Sequence, residues 1–105
     1  MKQLSFSFNW NEKLSNKAFT TMRLSDRLEV GDEIKVSLKE KILPHIYLVK
    51  DKKSLKLESI NDFIAYLDTG YDKKNCANLL MTFYKNKNIN WTTQKINLYL
   101  IVRID

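Results

Sequence analysis

Residues 59–104 read SINDFIAYLDTGYDKKNCANLLMTFYKNKNINWTTQKINLYLIVRI, and this stretch decides the fold class. Ser59 and Asp62 stand in capping-box spacing, with Asp in place of Glu. Ile60, Phe63, Ile64 and Leu67 then follow the i, i+3, i+4, i+7 rule of an amphipathic helix over about 59–68. Gly70 is placed to end that helix, and Asp72 is placed to cap a second one over about 72–86. Cys76, Leu79, Leu80, Phe83 and Tyr84 form the apolar stripe of the second helix. Ile96, Leu98, Leu100, Val102 and Ile104 alternate as a strand. Tyr99 and Ile101 on its other side predict burial on both faces, hence an interior position in a sheet.

Upstream of residue 59 the period is two. Leu4, Phe6, Phe8 and Trp10 alternate with Gln3, Ser5, Ser7 and Asn9, which predicts a half-buried strand. Residues 11–20 are polar and irregular, with room for a short helical turn, and Thr20–Leu24 is β-favouring. Gly31-Asp32 marks a turn before the alternating strand Ile34, Val36, Leu38. Pro44 interrupts a strand-like run over 42–50, Asp51-Lys52-Lys53 reads as a turn, and Leu55 and Leu57 begin another extended piece. Strands followed by two consecutive helices and a closing strand, without βα alternation, argue for a single α+β domain over residues 1–105. Its sheet is expected to be mixed, mostly antiparallel and barrel-like.

The chain has 105 residues and 44% apolar content, enough for one core without disulfide or metal. One cysteine, Cys76, excludes an internal disulfide, and the stripe makes it an inert buried thiol. One histidine, His45, without ligand spacing around it, argues against zinc. No cofactor is expected. The longest apolar run, Leu98–Val102, falls far short of the ~20 residues of a membrane span. The N-terminus lacks the apolar block of a signal peptide, so a cytoplasmic protein is expected. The formal charge of +6 suits a polyanionic partner.

The segment 13–27, KLSNKAFTTMRLSDR, concentrates Lys13, Lys17, Arg23 and Arg27 around Thr20-Thr21. Amines and guanidinium groups bind phosphates, and threonine hydroxyls can meet a base or a sugar. In a strand, Thr21 and Arg23 share one face and Met22 takes the other. Lys50, Lys52, Lys53 and Lys56 form a basic turn. Trp10 and Trp91 read as core or sheet-edge aromatics, Phe83 and Tyr84 as core, and Tyr71 as a stacking residue.

Lys17-Ala-Phe-Thr20-Thr21-Met22-Arg23, followed by Gly31-Asp32-Glu33-Ile34 and then Asp68-Thr69-Gly70-Tyr71, resembles the motif order of ASCH domains of the PUA-like superfamily. The resemblance spans roughly residues 15–104. It implies a small barrel-like sheet with flanking helices, and a basic cleft where the Lys-Thr-Arg segment meets the acidic turn. It also implies contact with RNA or a modified nucleoside, through Lys13, Lys17, Thr20, Thr21, Arg23 and Tyr71. Some small stand-alone members are amidohydrolases acting on acetylated cytidine. Carried over to this chain, their catalytic set implies Lys17, Thr21 and Asp68. Here the lysine stands four residues before Thr21, where those enzymes place it three before, at the position of Ala18. Asp68 also stands where they use a glutamate. An RNA- or nucleotide-binding domain is the leading expectation. The alternatives are such an amidohydrolase and a protein-interaction domain without catalysis.

Overall fold

A computed structural model describes residues 1–105. The strands are β1 (Lys2–Phe6), β2 (Ala18–Arg23), β3 (Glu33–Leu38), β4 (Lys41–Ile42), β5 (Tyr47–Leu55) and β6 (Ile96–Arg103). The helices are α1 (Asp62–Thr69) and α2 (Lys73–Phe83), with short 3₁₀ segments at Trp10–Ser15 and Leu57–Ser59. The fold is α+β, with one mixed, mostly antiparallel sheet of order β1-β3-β5-β6-β2 and β4 paired to β3. Only β1 and β3 run parallel. No helix is long and apolar enough to cross a membrane.

The sheet curls without closing. β1 and β2 stand at opposite ends of its strand order, yet the rings of Phe6 and Phe19 meet edge-on at 5.9 Å. Every long strand contributes to one buried cluster on the inner face, including Leu4, Phe19, Val36, Tyr47 and Ile101. Ladder hydrogen bonds do not join the two edges; arginine side chains reach across instead. Arg23 Nη2 donates to Ser5 O at 2.9 Å, and Arg27 Nη2 donates to Gln3 O. The other face of the sheet packs on α1 and α2 through Met22, Ile60, Ala65, Cys76, Leu80 and Ile96.

β6 lies between β5 and β2, as its two-sided apolar pattern predicts. The more buried side is that of Tyr99 and Ile101, because it faces the curled interior; Leu100 and Val102 opposite are half-buried. The turn expected at residues 51–53 is absent. β5 runs straight through it and absorbs the irregularity as a bulge between Val49 and Asp51. Lys52 there is held by Asp26, Glu29 and the Leu28 carbonyl, and lies over the Tyr99 ring. β1 stops at Phe6 instead of reaching Trp10, and Phe8 is half exposed.

α1 begins later than the capping-box spacing suggests. Asn61, not Ser59, caps it by accepting from the Ile64 amide, and Ser59 belongs to the preceding 3₁₀ turn. Gly70 ends it in the left-handed region at φ 83°, and Asp72 caps α2 by accepting from Asn75 N. α2 ends at Phe83, three residues short of the expected 86. The predicted apolar stripe of α1 is split: Ile60 and Ile64 pack against the core, and Phe63 and Leu67 do not. Phe63 is 81% and Leu67 66% exposed, whereas Ala65, Asp68 and Thr69 are buried. Ile60 is buried from outside the helix.

The hairpin from β3 to β4 turns on Lys39 and Glu40, both at positive φ (50° and 70°). A two-residue hairpin of this kind favours Asn-Gly, because a Cβ is disfavoured in the left-handed region. Replacing Lys39→Asn together with Glu40→Gly is expected to raise stability by about 1–2 kcal/mol. A urea midpoint that stays put or falls would show that the turn is not strained.

Candidate functional site

The gap between the edges of β1 and β2 becomes a cleft of about 230 Å³. β1 and the residue after it supply Ser5, Phe6 and Ser7, and β2 supplies Thr21, Met22 and Arg23. The segment joining those strands contributes Trp10 and Lys13. α1 brings Asp68 and Thr69, and Leu79, Leu80, Phe83 and Tyr84 close the far wall.

At the floor, Lys13 Nζ donates to Asp68 Oδ1 at 2.9 Å, with both side chains almost fully buried. Lys13 reaches this depth because Asn11 and Glu12 take left-handed backbone angles that break the 3₁₀ segment. Asn11 Nδ2 also donates to the Tyr66 carbonyl near the end of α1, tying this kink to the helix that carries Asp68. The second carboxylate oxygen accepts from Thr20 Oγ1 at 3.1 Å. Burial pushes the Lys13 ammonium below its usual range, against the pull of Asp68. Burial likewise pushes the Asp68 carboxyl up, against the pull of Lys13 and Thr20. For both groups desolvation outweighs the attraction, as expected for a pair removed from water.

Arg23 Nε donates to Thr21 Oγ1 at 3.1 Å, and the guanidinium lies 4.7 Å from the Phe6 ring centroid. Lys13 Nζ lies over the same ring at 5.5 Å. Arg23 forms no carboxylate pair, and its bonds to Thr21 and Ser5 leave guanidinium donors unspent. Aromatics gather at the mouth. Trp10 packs against Phe8, Tyr71 and Phe83 at 4.6, 6.2 and 5.7 Å.

The expected site residues are therefore divided. Thr21, Arg23, Asp68 and Lys13 line one cleft, and Thr20 joins them through Asp68. Lys17 does not: it is exposed just before β2 and contributes no side chain to the lining. The cation beside Asp68 is Lys13, so the set Lys17–Thr21–Asp68 is not assembled. A kinked segment can deliver Lys13, whereas Lys17, in the bend just before β2, is exposed to solvent. Tyr71 sits at the rim, 46% exposed, outside the lining itself. Lys50, Lys52, Lys53 and Lys56 lie on or beside β5 and do not border the cleft.

Trp10, read as a core or edge residue, and Phe83, read as core, are cleft residues. Ser5 and Ser7 carried no signal beyond the polar half of an alternating strand. His45, distant in role, pairs with Asp105 at 3.3 Å and contacts Arg103. Cys76 is a fully buried free thiol, raised in pKa by that burial. No three His, Cys, Asp or Glu side chains form a metal-holding group. No protein-family model, curated protein or solved structure matches the chain.

Breaking the floor pair strands a buried charge. Lys13→Met is expected to cost about 3–5 kcal/mol, and Lys13→Met with Asp68→Leu to recover most of that loss. A double variant no more stable than the single one in urea unfolding would show that charge compensation is not what holds the pair. The single variant also carries a pH signature. Asp68 without its counter-ion rises further above the ordinary 3.8, so the folded state binds the proton more tightly than the unfolded chain. Its stability is therefore greatest in acid and falls as pH rises through the elevated value. The deficit against the parent protein should be smaller at about pH 5 than at about pH 8, and a deficit that grows on acidification would contradict this.

Proposed function

We propose that this protein is an ASCH-like, PUA-like nucleotide-contacting domain of the cytoplasm, which takes one base or nucleoside of an RNA into the cleft between β1 and β2. The observation that carries this reading is the unpaired guanidinium of Arg23 beside an aromatic wall. Lys13 and Asp68 offset each other, which leaves Arg23 as the cleft's uncompensated charge. A guanidinium binds phosphate or a base edge by its fork, and Trp10, Phe83 and Tyr84 offer faces for stacking. The cleft's size supports a small insertion. At about 230 Å³ it lies below the ~300–1,000 Å³ typical of sites for drug-sized ligands. The net charge of +6 favours an anionic partner.

The geometry favours binding over amide hydrolysis. A hydroxyl nucleophile needs a proton acceptor within hydrogen-bond reach. The Thr21 hydroxyl instead receives a hydrogen bond from Arg23, a group that cannot take a proton. The one carboxylate in the lining, Asp68, is engaged by Lys13 and Thr20. One feature favours the protein-interaction alternative: Phe63, Tyr66 and Leu67 leave an apolar stripe on the outer face of α1, apart from the cleft lining.

Titration of short single-stranded RNA into a Trp91→Phe variant, which keeps Trp10 as its one tryptophan, tests the reading by fluorescence quenching. Arg23→Ala is expected to lower affinity at least ~10-fold, and Arg23→Lys to fall between, since lysine keeps charge without the fork. Phe63→Ser should leave binding unchanged. One guanidinium on one phosphate predicts a shallow salt dependence, ~2–3-fold between 50 and 200 mM, from a slope of about −0.7 per phosphate. Affinity indifferent to Arg23→Ala, or release of free cytidine from acetylated cytidine, would overturn the binding assignment.

A further inference from the structure

The cleft has a neighbouring space along β1. Ser5, Phe6 and Ser7 line it on one side and on the other line a second, open depression of about 830 Å³. The depression's remaining walls are Gln3, Ser37, Lys39 and Glu40. The two spaces thus share a three-residue sill, Ser5–Ser7, on and just after the edge strand.

The side chains on this surface form a directed chain of donors. Gln3 Nε2 donates to Ser37 Oγ at 3.1 Å, and Ser37 Oγ donates to Ser5 Oγ at 3.2 Å. Ser37 is buried, so its hydroxyl is committed to this relay. The relay ends on Ser5, whose own proton is left to donate at the sill. Arg23 reaches the same residue, with Nη2 on the Ser5 carbonyl. Hydroxyl and guanidinium therefore converge where the cleft adjoins the depression, a pairing suited to a phosphodiester oxygen.

At the far end stands the Lys39-Glu40 turn, both residues in the left-handed region without glycine. The turn is pinned to the sill by the Lys39 amide, which donates to Phe6 O at 2.9 Å. Strained backbone that surroundings hold in place concentrates at binding sites. Lys39 and Glu40 cancel in charge, so this end meets sugar and base groups by hydrogen bonds, with no further phosphate attraction.

We infer that the cleft receives its base as part of a strand, with the phosphodiester at the Ser5–Arg23 sill and at least one neighbouring nucleotide lying in the depression bounded by Gln3, Ser37 and Lys39. The inference rests on the nucleotide-binding reading above and goes further by placing the flanking phosphodiester at the sill and a neighbouring nucleotide on this second surface.

The test compares the four nucleosides with the four homotrinucleotides of RNA, by amide chemical shifts in two-dimensional NMR. At least one trinucleotide should bind about tenfold more tightly than its nucleoside, the worth of one or two net hydrogen bonds. It should also shift the amides of Gln3, Ser37 and Lys39, which the nucleoside leaves in place. Gln3→Ala with Lys39→Ala, two exposed positions outside the cleft, should remove that advantage and keep nucleoside affinity within about twofold. Equal affinities for nucleoside and trinucleotide, or a double variant without effect, would overturn the inference while leaving the cleft reading intact. Absence of binding by every probe would overturn both.

Discussion

The arrangement of the cleft depends on one buried ion pair, Lys13 with Asp68. Neither group can be left alone at that depth, because an unpaired buried charge costs several kcal/mol. The pair therefore sets which side of α1 turns inward. It also explains why Phe63 and Leu67, the obvious apolar positions, face outward. The helix is oriented by a polar contact and by Ala65 and Ile64 packing beneath it, not by Phe63 or Leu67. The thermodynamic cost of this choice is an exposed apolar stripe; its consequence is a carboxylate at the cleft floor, already neutralised.

That neutralisation reassigns the electrostatics of the cleft. With Lys13 and Asp68 offsetting each other, the uncompensated charge of the cleft is carried by Arg23. Arg23 is also structural: it crosses the gap between β1 and β2 by donating to Ser5 O and lies over Phe6. A sheet that curls until its ends meet, but stops short of pairing them, leaves backbone carbonyls exposed on its edge. Arginine side chains satisfy two of them. The same incompleteness that leaves the sheet open is what makes the cleft.

Parts of this were legible in residue order. The two-sided apolar pattern of 96–104 placed β6 inside the sheet, Gly70 and Asp72 marked the junction of the helices, and Thr21-Met22-Arg23 pointed to a strand bordering a site. Other parts were not. Lys13 and Lys17 are equivalent by composition and neighbourhood, and only the left-handed kink at Asn11 and Glu12 sends the first inward. Asp51-Lys52-Lys53 has turn composition, yet pairing on β6 and a bulge carry the strand through it. Trp10 reads as one more alternating aromatic, although the strand has ended four residues earlier.

The sequence by itself determined the class of fold, the order of its main elements and the Gly70–Asp72 junction of its helices, because periodicity, glycine conformation and capping hydrogen bonds act over a few neighbouring residues. Tertiary structure alone decided which lysine meets Asp68, which face of α1 is buried and where the sheet stays open. These are set by contacts between residues some fifty positions apart, whose energies depend on burial and geometry that no local pattern encodes.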